Sequence, residues 1–273
     1  MKILYISQEI TPFLPESEMS KVNRELPQKI SELGHEIRVF MPRYGVINER
    51  RHQLHEVIRL SGMNMVINDS DHPLIIKVAS IQQARMQVYF IDNEEFFKRK
   101  SVINDTKGIF MDDNDERSIF FSKGCLETVK KLGWKPDVIH LSGFMTALVP
   151  MFMKELYADA PHFENAKVVY SVYDHGTDEK LSDDLVKKLE YDEIKESAVT
   201  CLKNPTINSM HEIAIQYADG VIKGSKDLPK DLEKMIDGSN VPVLEFVEEE
   251  LDSQKAYEKF YESIAVDIAV TEA

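Results

Sequence analysis

The 273 residues are 43% hydrophobic and 29% charged, which is enough apolar material for a sizeable core and too much for a disordered tail. Thirty-three basic against 47 acidic side chains give a formal charge of −14, which repels phosphate backbones and anionic surfaces, so no nucleic acid and no membrane is expected as a partner. Cys125 and Cys201 stand far apart without His or Cys at ligand spacing, so neither a metal site, a disulfide framework nor any other cofactor is expected, and reduced thiols favour the cytoplasm. The first ten residues are too short for a signal peptide, and no other segment approaches membrane-spanning length.

Residues 2–7 (KILYIS) are a continuous apolar run of the kind buried on both faces of a parallel sheet. Met19, Val22, Leu26, Ile30 and Leu33 recur at helical spacing and end at Gly34, and residues 36–41 (EIRVFM) read as a second strand. This βαβ unit predicts an α/β fold with a Rossmann-like, doubly wound, mainly parallel sheet. From residue 57 to 91 the pattern changes to short alternating runs separated by turn-forming stretches at 68–73 and 82–85, predicting an inserted antiparallel β section. Further buried strands are expected at 137–141, 167–173 and 220–223, alternating with helices. Residues 238–240 with Pro242 form the best linker, so the division is a domain over 1–237 and an acidic linker with an amphipathic C-terminal helix over 238–273. That last stretch is acidic: residues 241–273 hold nine acidic and two basic side chains.

The usual phosphate cradles, G-x-G-x-x-G and the Walker loop, are absent, as is the G-x-S-x-G nucleophile elbow. Asp113 with Glu116 has capping-box spacing, a stronger reading than a cation loop over 112–116. Arg43, Arg50, Arg51, His52, His55 and Arg59 form a basic cluster, for which a solvated loop or pairing with the chain's own acids is a stronger reading than a site for a phosphate, a carboxylate or an acidic partner surface. His140 and His175 sit at or after strand ends, where ligands bind in open α/β sheets; taken singly, each reads better as a hydrogen-bonded histidine.

Several blocks in register carry a resemblance: residues 2–9 (KILYISQE), Thr11-Pro-Phe13, Leu26-Pro27, Leu33-Gly-His35 and residues 41–45 (MPRYG). Later come residues 114–117 (NDER), 133–137 (GWKPD), Ile139-His140, residues 146–150 (TALVP) and Ala218-Asp219. Over residues 1–235 the chain resembles the N-terminal domain of bacterial glycogen synthases and plant starch synthases. That implies the acceptor-side half of a GT-B glycosyltransferase, a family that moves glucose from ADP-glucose onto an α-1,4-glucan. The chain is expected to stop after this half, without the groups that neutralise the leaving diphosphate.

The resemblance also implies altered cleft positions. The family's Lys-x-Gly-Gly-Leu-x-Asp loop aligns without a gap onto residues 15–21, placing Pro15 at the lysine, Ser17 and Glu18 at the glycines and Lys21 at the aspartate. In the His-x-x-Asp-Trp-His-Thr block His140 remains, while Gly143 and Met145 replace Asp and His. Tyr173 and Asp174 occupy the strand end where the family has histidine and asparagine. Glu9, Ser142 and His175 remain as ligand-binding candidates, and no catalytic residue is assigned.

The expected function is therefore a non-catalytic binding or regulatory partner in glycogen metabolism, with an α-glucan or nucleotide sugar as ligand and a protein partner or homodimer as assembly. The alternative is a glucosyltransferase whose donor half comes from another chain. A weaker third reading is a sugar or nucleotide binder using His140, Ser142, Tyr173, Asp174 and His175.

Overall fold

β1 (Lys2–Ser7) is buried from Ile3 onward and lies inside the sheet, paired on both edges, which is why its sequence is apolar without alternation. The computed structural model describes residues 1–248 and 252–265. α1 (Glu18–Glu32) carries the chain to β2 (Glu36–Pro42), parallel to β1 in the register Tyr5 to Val39, and the turn between them uses Gly34 at φ +96°. A peripheral section follows: α2 (Glu49–His52), β3 (His55–Glu56), β4 (Met63–Ile67), β5 (Ser70–Ile81) and β6 (Met86–Asp92). The chain then alternates through α3 (Glu94–Phe97), α4 (Asn114–Leu132), β7 (Val138–Ser142), α5 (Val149–Glu155) and β8 (Lys167–Val172). It closes with α6 (Leu185–Glu190), α7 (Ile207–Tyr217), β9 (Gly220–Lys223), α8 (Lys230–Asp237), β10 (Val243–Leu244) and α9 (Gln254–Ala265).

The strand order is β10-β9-β8-β7-β1-β2-β6-β5-β3, with β4 attached to β5. From β10 to β6 every pairing is parallel, and among the described strands β3, β4 and β6 each pair antiparallel with β5, so the doubly wound sheet and its antiparallel section are both present. Crossovers are right-handed, so α1, which steps one way along the sheet, and α4, α5 and α7, which step the other way, cover opposite faces. α9 packs beside α1 and against β8.

Four local expectations are corrected. The turn expected over 68–73 is only Asn68-Asp69, and β5 runs through Pro73. Pro73 sits there without strain because it faces Asn64 across the ladder and its carbonyl accepts the Asn93 side-chain amide at 3.0 Å, so no strand needs its missing N–H. β6 is not purely antiparallel: it pairs parallel with β2 and antiparallel with β5. Asp113 makes no capping bond to α4; its carboxylate pairs with Arg99 instead. Residues 238–242 lead into a further strand, β10, parallel to β9.

The block at 114–117 has a packing role. Arg117 is 1% exposed, its guanidinium lies over the rings of Tyr44 and Phe97, and it donates to the carbonyls of Phe96 and Val102 and to Asn114 Oδ1. One side chain thereby ties the 96–102 segment to α4. Arg43 is likewise consumed internally: Arg43 and Lys77 both contact Asp92 and Glu49, at 2.7 to 3.3 Å. The self-pairing reading of the basic cluster thus holds for Arg43.

α9 buries its apolar stripe on its own sheet: Tyr257, Phe260, Tyr261 and Ile264 are each at most 8% exposed. Gly220 makes room for it, since a β-carbon there would stand 2.3 Å from Ile264 and 3.1 Å from Phe260. Burial of each such side chain contributes about 1.5–3 kcal/mol. Deleting residues 250–273 is expected to lower the melting temperature by several degrees, and Gly220→Ala to lower it by a smaller amount through overpacking of about 1–3 kcal/mol. Calorimetry with light scattering decides this: an unchanged melting temperature at unchanged mass in the truncated chain contradicts the docking.

Candidate functional site

The C-terminal ends of β1, β7, β8 and β9 converge, and the residues following them form the lip of the candidate cleft. Gln8 and Glu9 follow β1. Gln8 is fully buried, its backbone N–H donates to the Ser142 carbonyl at 2.9 Å, and its side-chain oxygen accepts the Met145 N–H at 3.2 Å. The turn after β7 is therefore fastened to the loop after β1.

That fastening decides what position 143 can carry. Gly143 has φ +89°, and a β-carbon there would lie 2.7 Å from the Gln8 side chain. A polar side chain at 143 would need both a strained backbone and a displaced Gln8. Met145 points inward, fully buried, with its sulfur accepting the Ser118 hydroxyl at 3.2 Å. Thr146 closes the same turn onto the Gly143 carbonyl at 2.8 Å.

The 15–21 loop folds onto itself. Ser17 is the N-cap of α1: its hydroxyl accepts the Ser20 N–H at 3.0 Å and donates to Glu9 at 2.9 Å, while the Ser20 hydroxyl accepts the Ser17 N–H at 2.8 Å. Free N–H groups at a helix start hold anions; here a reciprocal cap occupies two of them, and Glu9, Glu16 and Glu18 surround the rest with negative charge. Glu18 accepts the Ser225 hydroxyl at 2.6 Å, and the Ser225 oxygen in turn receives the Asp174 N–H at 3.3 Å. Asp174 turns its carboxylate onto the Gly176 N–H at 2.8 Å. Pro15 contributes its carbonyl to the Ser20 hydroxyl at 3.2 Å, and Lys21 lies on the first turn of α1.

Like Met145, two further expected site residues face away from the lip. Tyr173 is 3% exposed, with its ring against Gly224, where a β-carbon would sit 2.8 Å from the ring; burial holds its hydroxyl well above the ordinary phenol range. His140 is 1% exposed and belongs to a chain of hydrogen bonds through the sheet: Nδ1 to the Tyr261 hydroxyl at 2.8 Å, Nε2 to the Ser171 hydroxyl at 2.6 Å, and Tyr261 to the Tyr5 hydroxyl at 3.3 Å. Ser142, 1% exposed, ends β7 opposite Ser7 and Ser171.

His175 stacks at 5.4 Å on His211, whose Nδ1 meets the Tyr170 hydroxyl at 2.7 Å, and packs edge-on against Phe144. The Nε2 atoms of both histidines are enclosed without a partner. The structure thus gathers Glu9, Ser17, Glu18 and Asp174 at the lip and disperses Met145, Tyr173 and His140 into the interior. Gln8, Ser171, Ser225, Tyr261 and His211 complete these arrangements; the sequence marks Tyr261 as part of the apolar stripe of the C-terminal helix but not for its hydroxyl, and singles out none of the others, while Gly220, which opens β9, and Gly224, which follows it, stand where rings approach the backbone. Among the described residues no three His, Cys, Asp or Glu side chains are grouped to hold a metal, and no helix is long and apolar enough to cross a membrane.

Burial depresses the basicity of three histidines: His140 to about 3, His175 to about 4, and His211 well below its ordinary value, with the neighbouring His175 ring adding to the effect. Below the unfolded value near 6.5 the unfolded chain binds protons that the folded chain refuses, so stability falls as pH falls from 6.5 toward 4, by up to about 1.4 kcal/mol per pH unit for each histidine. Urea unfolding at a series of pH values is expected to show this slope, and His140→Gln to make it shallower. A stability flat between pH 6.5 and 4.5 would contradict the neutral assignment.

The family profile described as the starch synthase catalytic domain matches residues 2–241. The chain is 34% identical over 226 residues to a glycogen synthase of Pelodictyon phaeoclathratiforme, covering 82% of this chain and 46% of that protein. It is 39% identical over 173 residues to one of Chlorobium limicola, covering 63% and 35%. It spans about half the length or less of these curated relatives. The catalytic domain of starch synthase IV from Arabidopsis thaliana, bound to ADP and acarbose, superposes with a TM-score of 0.72 at 17% identity, over 89% of this chain and 50% of that one, which identifies the sheet and its helices as a GT-B Rossmann-like domain. The chain belongs to the glycogen and starch synthase family.

Proposed function

We propose that this chain is a non-catalytic member of its family, a binding or regulatory partner in α-glucan metabolism. The observation that carries the reading is the fate of the 15–21 loop. A helix start suited to phosphates is capped by its own Ser17 and Ser20, flanked by Glu9 and Glu16, and tied through Glu18 to Ser225. A diphosphate brought there meets carboxylates where it needs donors, which opposes the charge stabilisation that glycosyl transfer from a nucleotide sugar requires. Tyr173 and Met145, directed inward, supply no polar group to the cleft, and the retained His140 is committed to Tyr261 and Ser171.

The alternative, a glucosyltransferase completed by a donor half from another chain, has in its favour that the matched relatives are about twice as long or more. The two readings separate at the same loop. Incubation with ADP-glucose and glycogen is expected to give no radiolabelled glucose incorporation above a heat-killed control, and incorporation would overturn the proposal. Replacing Pro15→Lys, Ser17→Gly, Glu18→Gly and Lys21→Asp together is expected to leave the chain inactive, because Gly143, Met145 and Tyr173 remain; turnover in that variant would assign the loss to the loop alone. Thermal shift with ADP-glucose and with maltoheptaose reports which ligand class the chain still holds.

A further inference from the structure

A groove of about 720 Å3 lies between β4, helix α4 and the 156–160 segment that follows α5, and shares no residue with the cleft. One wall consists of Met63, Asn64, Met65 and Val66, four consecutive residues of β4. Successive side chains of a strand point to opposite faces, so a cavity that meets all four meets the strand edge-on. Among the described residues β4 pairs with β5 alone, which leaves this edge without a strand partner there.

The register tells which backbone groups face the groove. Asn68-Asp69 is a two-residue turn, so Ile67 and Ser70 exchange hydrogen bonds, as does every second pair beyond them. Asn64 and Val66 fall between, opposite Pro73 and Asp71, and direct their own N–H and C=O outward. The Val66 carbonyl confirms the direction, since it accepts the Lys123 ammonium at 3.0 Å from the groove floor. Val66 is 51% exposed and Leu156, on the opposite wall, 38%.

We infer that this edge is a docking site for an extended segment of a partner protein, added as a strand to β4. Backbone N–H and C=O groups at a strand's repeat are matched by another extended peptide backbone, the mode in which main-chain bonds give affinity and pockets read alternate side chains. Charge selects the segment further. Lys123 is neutralised by Asp192, Lys130 lies 2.9 Å from Glu127, and Asp159 lines the groove with no ion-pair partner among the described residues, so the groove suits a segment apolar at alternate positions and bearing a Lys or Arg at one end. The inference holds whether or not the cleft is catalytic.

The full chain, 15N-labelled, is titrated with the peptide acetyl-KVTVTVK-amide and followed by amide shifts and hydrogen exchange. Saturable protection of the Asn64 and Val66 amides is expected, and none with acetyl-KVPVPVK-amide, which lacks the alternate donors. Val66→Pro removes an N–H that the hairpin itself does not use, and should weaken binding at least tenfold while leaving the melting temperature within about a degree. Ala160→Trp, which fills the groove from the other wall, should do the same if the proline variant fails to fold. No protection at Asn64 and Val66, or affinity indifferent to these variants, overturns the inference. Protection of the same amides by maltoheptaose instead overturns it in favour of a glucan, and a concentration-dependent dimer abolished by Val66→Pro overturns it in favour of a second copy.

Discussion

The hydrogen bond from Tyr261 to His140, 2.8 Å long and fully enclosed, fixes how one face of the sheet is closed. Tyr5 and His140 are paired partners on adjacent central strands and present polar atoms toward the same layer. An apolar cover would leave those atoms without partners at a cost of about 1–3 kcal/mol each. α9 supplies one hydroxyl that reaches both, and Ser171 takes the remaining imidazole nitrogen. The apolar stripe of α9 supplies burial, while Tyr261 fixes its position along the sheet. Gly220 completes the fit by removing the one side chain that would hold the helix off the strand.

This closure bears directly on the cleft. A histidine retained at a family position suggests retained chemistry only as long as its ring is free to meet a ligand. His140 has both nitrogens engaged, and burial keeps it neutral. Its identity is explained by the interior it completes. The same reasoning covers Thr146, which closes a turn, and Arg117, which fastens a loop to α4. Of the positions that the resemblance maps onto the cleft, Ser17 and Glu18 are engaged in capping and in the bond to Ser225, and Gly143, Met145 and Tyr173 in packing.

Much of the architecture was legible because burial on a sheet writes itself locally. Residues 2–7 and 167–172 are apolar without alternation, as strands covered on both faces must be, and the stripe from Tyr257 to Ile264 has the helical period. The elements missed are those whose existence depends on distant partners. β10 is two residues long and is a strand only because Val243 and Leu244 find β9, and Pro73 is tolerated within β5 only because its ladder neighbours ask nothing of its nitrogen. The spacing of Asp113 and Glu116 suggested a cap, but a nearby arginine, 14 residues earlier, outcompeted the helix for that carboxylate.

The candidate site was legible in position and not in orientation. The strand ends gave the lip, and residue identities gave its acidity, but whether a side chain faces ligand or core depends on clearances of less than an ångström that no spacing encodes. Gly143 illustrates this most sharply: the resemblance marks it only as a position where an aspartate is expected, and in space it is a left-handed turn pressed on Gln8, in which no other residue fits without moving the loop after β1. An aspartate at 143 would therefore disturb the Gln8 bonds to Met145 and Ser142 before it added any charge to the cleft. Gln8, Gly143 and Met145 are coupled through packing and hydrogen bonding, so a substitution at one of them acts on the others and its effect is not independent of theirs.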